Sequence, residues 1–168
     1  TADELHASGS HLTGSLDTVL KGATGGLGLS ELSALGVDLI DIGGGDGVGT
    51  LHISASDATA VASASLEFAA NDHIVLDLGV NTTVDYAGGL GGAVQTATGL
   101  SLAGLHGLGI DTIDIAGSDS ADAHINGADA AAMSAAHLTF AAADTISLDV
   151  TADELHASGS HLTGSLDT

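Results

Sequence analysis

Residues 1–18 return unchanged as residues 151–168, so Thr1 reappears as Thr151 and Thr18 as Thr168. Eighteen consecutive identities at an offset of 150 do not arise by chance. The 168 residues therefore hold one sequence period, 1–150, and the start of the next, 151–168. Self-similarity at a fixed spacing marks stacked architectures, in which each unit buries its apolar face against its neighbours rather than within itself. This constrains the fold more than any motif in the chain. It predicts a much longer array of nearly identical periods, of which this chain, beginning without Met, is an excerpt.

The period subdivides. Asp38-Leu39-Ile40-Asp41-Ile42 has relatives at Asp72–Asp77, Asp111–Ile115 and Asp144–Asp149. Each carries Asp, any residue, Ile, any residue, then Leu or Ile. Four units thus start near Asp38, Asp72, Asp111 and Asp144, the last wrapping into 1–37. Leu51 to Ala70 aligns with Ala123 to Ala142 at an offset of 72, which pairs unit one with unit three. Units two and four form a longer, Gly-richer pair.

Each unit reads as strand, turn, strand, helix. In the first strand Ile40 and Ile42 share one face and Asp41 takes the other. Gly43–Gly47 and Gly79–Thr82 supply residues that tolerate positive φ and suit a hairpin. The second strands are Thr50–Ile53, Thr83–Tyr86, Ala123–Ile125 and Glu154–His156. The helix of unit one is capped by Ser56 or Asp57 and carries a stripe of Val61, Ala62, Ser65 and Leu66. Asp129, Met133, Ser134 and Leu138 repeat this in unit three. Unit four places helical stretches at Leu16–Lys21 and Ser30–Leu35, broken by Gly25, Gly26 and Gly28. Unit two has Val94–Ala97 and Leu102–Leu105.

Two strands advance about 9.6 Å at a spacing of about 4.8 Å, which matches the roughly 8–10 Å between packed helices. One hairpin per helix would therefore let a stack run straight. The expected fold is an α/β tandem-repeat solenoid or filament of strand-strand-helix units stacked side by side, four per 150-residue period. Strand direction alternates from unit to unit in this scheme; a strictly parallel β-solenoid is the alternative.

Composition agrees with thin stacking. The hydrophobic residues are mostly Ala, Leu, Val and Ile, with 25 Gly and three aromatics, Phe68, Tyr86 and Phe140. Large aromatics dominate most thick globular cores. Lys21 is the single Lys or Arg against 22 Asp plus Glu, for a net charge of −21. That excludes nucleic acid and anionic membrane surfaces as partners. No Cys is present, so there is no disulfide scaffold. Thr1-Ala2-Asp3-Glu4 lacks the basic start and apolar run of a signal peptide, and no apolar run approaches the ~20 residues that span a bilayer.

Asp38, Asp72, Asp111 and Asp144 recur at helix-to-strand junctions, and Asp41, Asp77, Asp114 and Asp149 recur on the outward face of the first strand. Turn chemistry and a solvated face explain most of them. Stacked carboxylates also suit Ca²⁺, the one cofactor the sequence suggests. Gly43–Gly47 resembles a calcium β-roll loop but occurs once. His6, His52, His124 and His156 share the second-strand position, with His11, His73, His106, His137 and His161 elsewhere. At one per unit they are too dispersed to converge on zinc, and an amphipathic residue on a half-exposed face is the simpler reading. No specific metal ligand is assigned. No nucleophile motif and no phosphate loop occurs: Thr24–Gly28 lacks the lysine and follows no strand. Lys21 reads as an ion-pair partner. The chain is expected not to be an enzyme.

The runs Leu35–Ile42, Leu108–Ile115 and Phe140–Leu148 resemble the Ala- and Asp-rich tandem repeats of giant secreted bacterial adhesin-like proteins, exported by one-step secretion and often adjoining calcium-binding repeats. The resemblance implies an extracellular, acidic, repetitive stalk or biofilm-matrix fibre whose main partner is another copy of itself. It implies no catalytic residue. Two alternatives differ in chemistry: a calcium-dependent surface lattice, and a module binding a glycan or another partner through its sheet face.

Overall fold

The computed structural model describes residues 12, 14–42, 49–79, 89–116 and 121–150, and the backbone of 84–85. The turn at 43–47, most of that at 79–82, Tyr86, the strand expected at 154–156, and His6, His11, His156 and His161 lie outside the described residues.

Unit four contributes helices α1 (Leu16–Thr24) and α2 (Leu29–Ala34). Strands β1 (Leu39–Ile40) and β2 (Thr50–Ser54) follow, then α3 (Ala55–Ser63). Next come β3 (Glu67–Phe68), β4 (His73–Asp77) and β5 (Val84–Asp85). Helices α4 (Leu90–Thr98) and α5 (Leu102–Gly107) lead to β6 (Ile110–Asp114) and β7 (Asp122–Asn126). The described chain closes with α6 (Gly127–Ala135), β8 (Thr139–Phe140) and β9 (Thr145–Asp149). The two Gly-interrupted regions are thus helix pairs. Gly25 and Gly99 end the first helix of each in the left-handed region, at φ 75° and 74°.

The fold is α/β with parallel sheets. Strands order as β1–β3, β2–β4–β6–β8 and β5–β7–β9, and every described pairing is parallel. The alternating hairpin scheme is therefore wrong. β1 and β2 follow one another in sequence but pair with β3 and β4 respectively, in separate sheets. The chain then returns through a helix and lays its next strand in the same direction, as a parallel crossover requires. Strand alternation carries no record of direction, and the match of hairpin to helix spacing holds only for a single row of helices. Instead α3 touches both α1 and α4, and α6 touches both α4 and α5.

Burial follows strand position. In the edge strand β2 only Leu51 and Ile53 point inward, whereas the central β4 buries Ile74, Val75 and Leu76 on both faces. Leu16, Val61, Leu66, Leu90, Leu105, Ile113 and Ile115 join Ile74 and Leu76 in one continuous core.

The stretch β2–α3–β3–β4 recurs as β7–α6–β8–β9 with every element boundary shifted by 72. The registers recur too: Thr50 faces His73 as Asp122 faces Thr145. Both helices begin in capping boxes, Ser54 with Asp57 and Asn126 with Asp129. Ser54, rather than Ser56 or Asp57, is therefore the N-cap of α3. The caps Ala64 and Ala136 close the two helices, and each is followed by a non-glycine left-handed residue, Ser65 at φ 56° and His137 at φ 55°. The short strands β3 and β8 carry no sequence signal, because two residues are too few to show any periodicity.

Candidate functional site

The recurrent aspartates divide into three structural roles. Asp72 reaches the preceding unit, where its Oδ2 accepts the Ile42 N–H at 2.7 Å and its Oδ1 the Gly49 N–H at 3.2 Å. Asp144 does the same with Ile115 and Ala121, at 2.9 and 3.1 Å. Backbone donors just outside a strand lack ladder partners, and a short carboxylate satisfies two at once. Asp111 is the extra residue where the β4–β6 register slips, and its Oδ2 accepts the Ile74 N–H at 3.1 Å.

The third role has no sequence signal. Asp57 closes the cap of α3 and also accepts the N–H of Leu16, the first residue of α1, at 2.8 Å. One buried carboxylate thus serves two helix N-termini, where its charge is favoured. Asp129 repeats this between α6 and α4, more loosely, through Gly91 at 3.4 Å.

One cluster goes beyond such stitching. His52 on β2, Asp77 on β4 and Asp114 on β6 come together on three adjacent strands of one sheet. One nitrogen or oxygen from each lies within 4.8 Å of the other two. His52 Nδ1 is 2.9 Å from Asp77 Oδ1. Asp77 and Asp114 are direct register partners. The Ala116 N–H holds Asp114 Oδ1 at 3.1 Å. Asp114 is only 3% exposed, which corrects its expected place on a solvated face. The same histidine–aspartate pair recurs 72 residues on, with His124 Nδ1 3.2 Å from Asp149 Oδ1. Asp41, the counterpart of Asp114 in unit one, is exposed beside β1. Of the described histidines, His52 and His124 meet a carboxylate of the neighbouring strand in their sheet, and the recurring His–Asp spacing of 25 was the available signal.

Other polar groups are accounted for locally. His73 Nε2, Thr112 Oγ1 and Thr139 Oγ1 form a ladder across β4, β6 and β8, at 2.9 and 3.1 Å. The rings of His106 and His137 lie against each other with centroids 5.6 Å apart. Lys21 pairs with Asp17 at 2.6 Å, as its isolation suggested. That lysine, with the Leu29 N–H, holds the Asp17 carboxyl below the usual carboxylate range, and Asp17 raises Lys21 in return. Glu31 is lowered by its own backbone N–H, the Ser30 hydroxyl and the Gly28 N–H.

An open groove of about 440 Å³ lies between α4, α5 and α6, lined by Gly91, Gln95, Ser101, Leu102 and several alanines. Among the described residues no ionisable side chain lines it, so they offer no acid or base there. Large apolar side chains are exposed at two places among the described residues: Leu35 and Leu39 around β1, and Leu148 and Val150 around β9. Among the described residues no helix is long and apolar enough to cross a membrane. No family model matches the chain, and no curated protein or solved structure is similar to it.

Proposed function

We propose that this chain is one period of a tandem-repeat α/β solenoid, and that its work is structural: an extracellular bacterial fibre, adhesin stalk or biofilm-matrix filament held together by repeat-on-repeat stacking. Its partner is the next period or another copy of itself. The observation that carries this is a comparison of equivalent residues. Leu76, inside the stack, is 0% exposed; Leu148, its counterpart 72 residues on, is 51% exposed. A Cβ at Gly109 would lie 2.8 Å from the Phe68 carbonyl oxygen, whereas a Cβ at its counterpart Gly36 would meet nothing within 4 Å. The positions that are covered internally are bare at the ends.

The internal β4–β6 contact supplies the joint. Leu76 faces Ile113 and Asp77 faces Asp114 there. Shifted by one half-period, Leu148 faces Ile40 and Asp149 faces Asp41 of the following copy. Leu39, Leu148 and Val150 are already about half covered, so covering the rest contributes on the order of 1 kcal/mol each. The acidic surface and the resemblance to secreted adhesin repeats support the extracellular setting.

Sedimentation velocity at about 0.15 M salt, where surface repulsion is screened beyond ~8 Å, tests the joint, with electron microscopy for filaments. Concentration-dependent end-to-end association is expected, and Leu148→Asp abolishes it. A wild-type chain that stays monomeric at every concentration overturns the reading. Assembly that disappears on chelation and returns with Ca²⁺ but not with Zn²⁺ favours the calcium-dependent lattice instead. A glycan-binding role is third, since Phe68 is buried and the described residues hold no aromatic platform.

A further inference from the structure

We propose that His52, Asp77 and Asp114 form a binding site for one divalent transition-metal ion of the zinc class, which pins three consecutive strands of the sheet together. The donors come from β2, β4 and β6, so a bound ion ties together segments far apart in sequence. A set of one imidazole nitrogen and two carboxylates suits Zn²⁺, Co²⁺ or Mn²⁺. Ca²⁺ takes about 6–8 oxygens and has little use for a nitrogen. Three protein ligands leave a fourth position for water, as in open zinc sites.

The geometry is close to what such an ion needs. Bonds of about 2.0–2.1 Å place tetrahedral donors roughly 3.3 Å apart. The His52–Asp77 pair is already at 2.9 Å, and all three donors lie within 4.8 Å. The Ala116 N–H orients the Asp114 carboxylate from behind, as groups around a metal site commonly do.

Electrostatics gives an independent reason. Asp77 and Asp114 sit directly opposite one another on neighbouring strands, and like charges so placed destabilise a sheet. Asp114 is buried, which raises that cost. A divalent ion would bring positive charge to the two facing carboxylates.

The recurrence of His124 with Asp149 points to a second site, which rests on the stacking proposed above. Asp41 of the following period would enter as the counterpart of Asp114 and complete it across the joint.

Calorimetric titration of the full 168-residue chain with ZnCl₂, alongside the visible absorption of bound Co²⁺, tests the site. Saturable binding that about a tenfold excess of Ca²⁺ does not displace is expected. His52→Gln and Asp77→Asn each weaken it at least about 100-fold, beyond the roughly 10–100-fold typical of losing a group that only orients a ligand. His73→Gln, on β4 but outside the cluster, leaves it unchanged. Absence of saturable zinc binding to the wild-type chain overturns the proposal whatever the variants do. So does binding that both variants retain, or displacement by equimolar Ca²⁺. A chain of two full periods separates the two readings: more than two ions per chain support the site and the stacking, while two ions support the site and reject the stacking.

Discussion

At the scale of single residues, aspartates in look-alike sequence positions do different work. Asp57 is the most committed, because its two oxygens serve the cap of α3 and the first N–H of α1. Asp57→Ala would leave the Ser54 and Leu16 N–H groups, one at each helix start, without their acceptor. A loss of about 2–4 kcal/mol is expected in chemical denaturation, from one lost cap and one unsatisfied buried donor. Asp57→Asn, which keeps an acceptor oxygen, should lose less than half of that. Ser65 offers the opposite sign. It occupies the left-handed region at φ 56°, where its Cβ crowds the backbone. Ser65→Gly should raise the unfolding free energy by about 0.5–1 kcal/mol.

Among elements, the α1–α2 corner has the clearest pH dependence. Asp17 accepts from Lys21 and from the Leu29 N–H at 2.9 Å, and Glu31 accepts from the Gly28 N–H at 3.0 Å. Both carboxyls titrate lower in the folded chain than in the unfolded one. Their contribution is therefore present above the ordinary carboxylate pKa and is lost as pH falls through the lowered folded values. Amide exchange at Leu29 and Gly28, corrected for the intrinsic pH dependence of exchange, should lose protection below about pH 4, while the amides of β4, buried at the centre of its sheet, stay protected. Both groups are solvent-accessible, so salt should shrink the effect. Strand order supplies a second expectation. Gly109 sits at φ 83° with the Phe68 backbone against it, so Gly109→Ala meets both a strained conformation and a carbonyl. A loss of at least about 1–2 kcal/mol is expected in chemical denaturation, whereas Gly36→Ala, strained but uncrowded, should lose less.

For the molecule as a whole, the stacking proposed above makes stability depend on how many units lie against one another. Repeat arrays gain one interface with each added neighbour, so stability grows faster than unit count at first. A chain of two periods should melt higher than this one in calorimetry, and Leu148→Asp should cancel much of the gain by blocking the joint. Equal melting temperatures for one and two periods would mean that the ends seal themselves.

The repeat, its 72-residue subdivision and most of the strands and helix pairs were legible in the sequence, because burial imposes periodicity on side chains and each unit imposes it again. Lys21 could be assigned to an ion pair because a lone cation among carboxylates has few other fates. Strand direction was not legible, since an alternating pattern reads the same whether its neighbour runs with it or against it. Nor was the burial of Asp114 beside His52 and Asp77, residues far apart along the chain that meet only because parallel stacking sets β2, β4 and β6 side by side. Sequence determines what each unit must bury; the order in which units lie against one another decides which polar groups are trapped together.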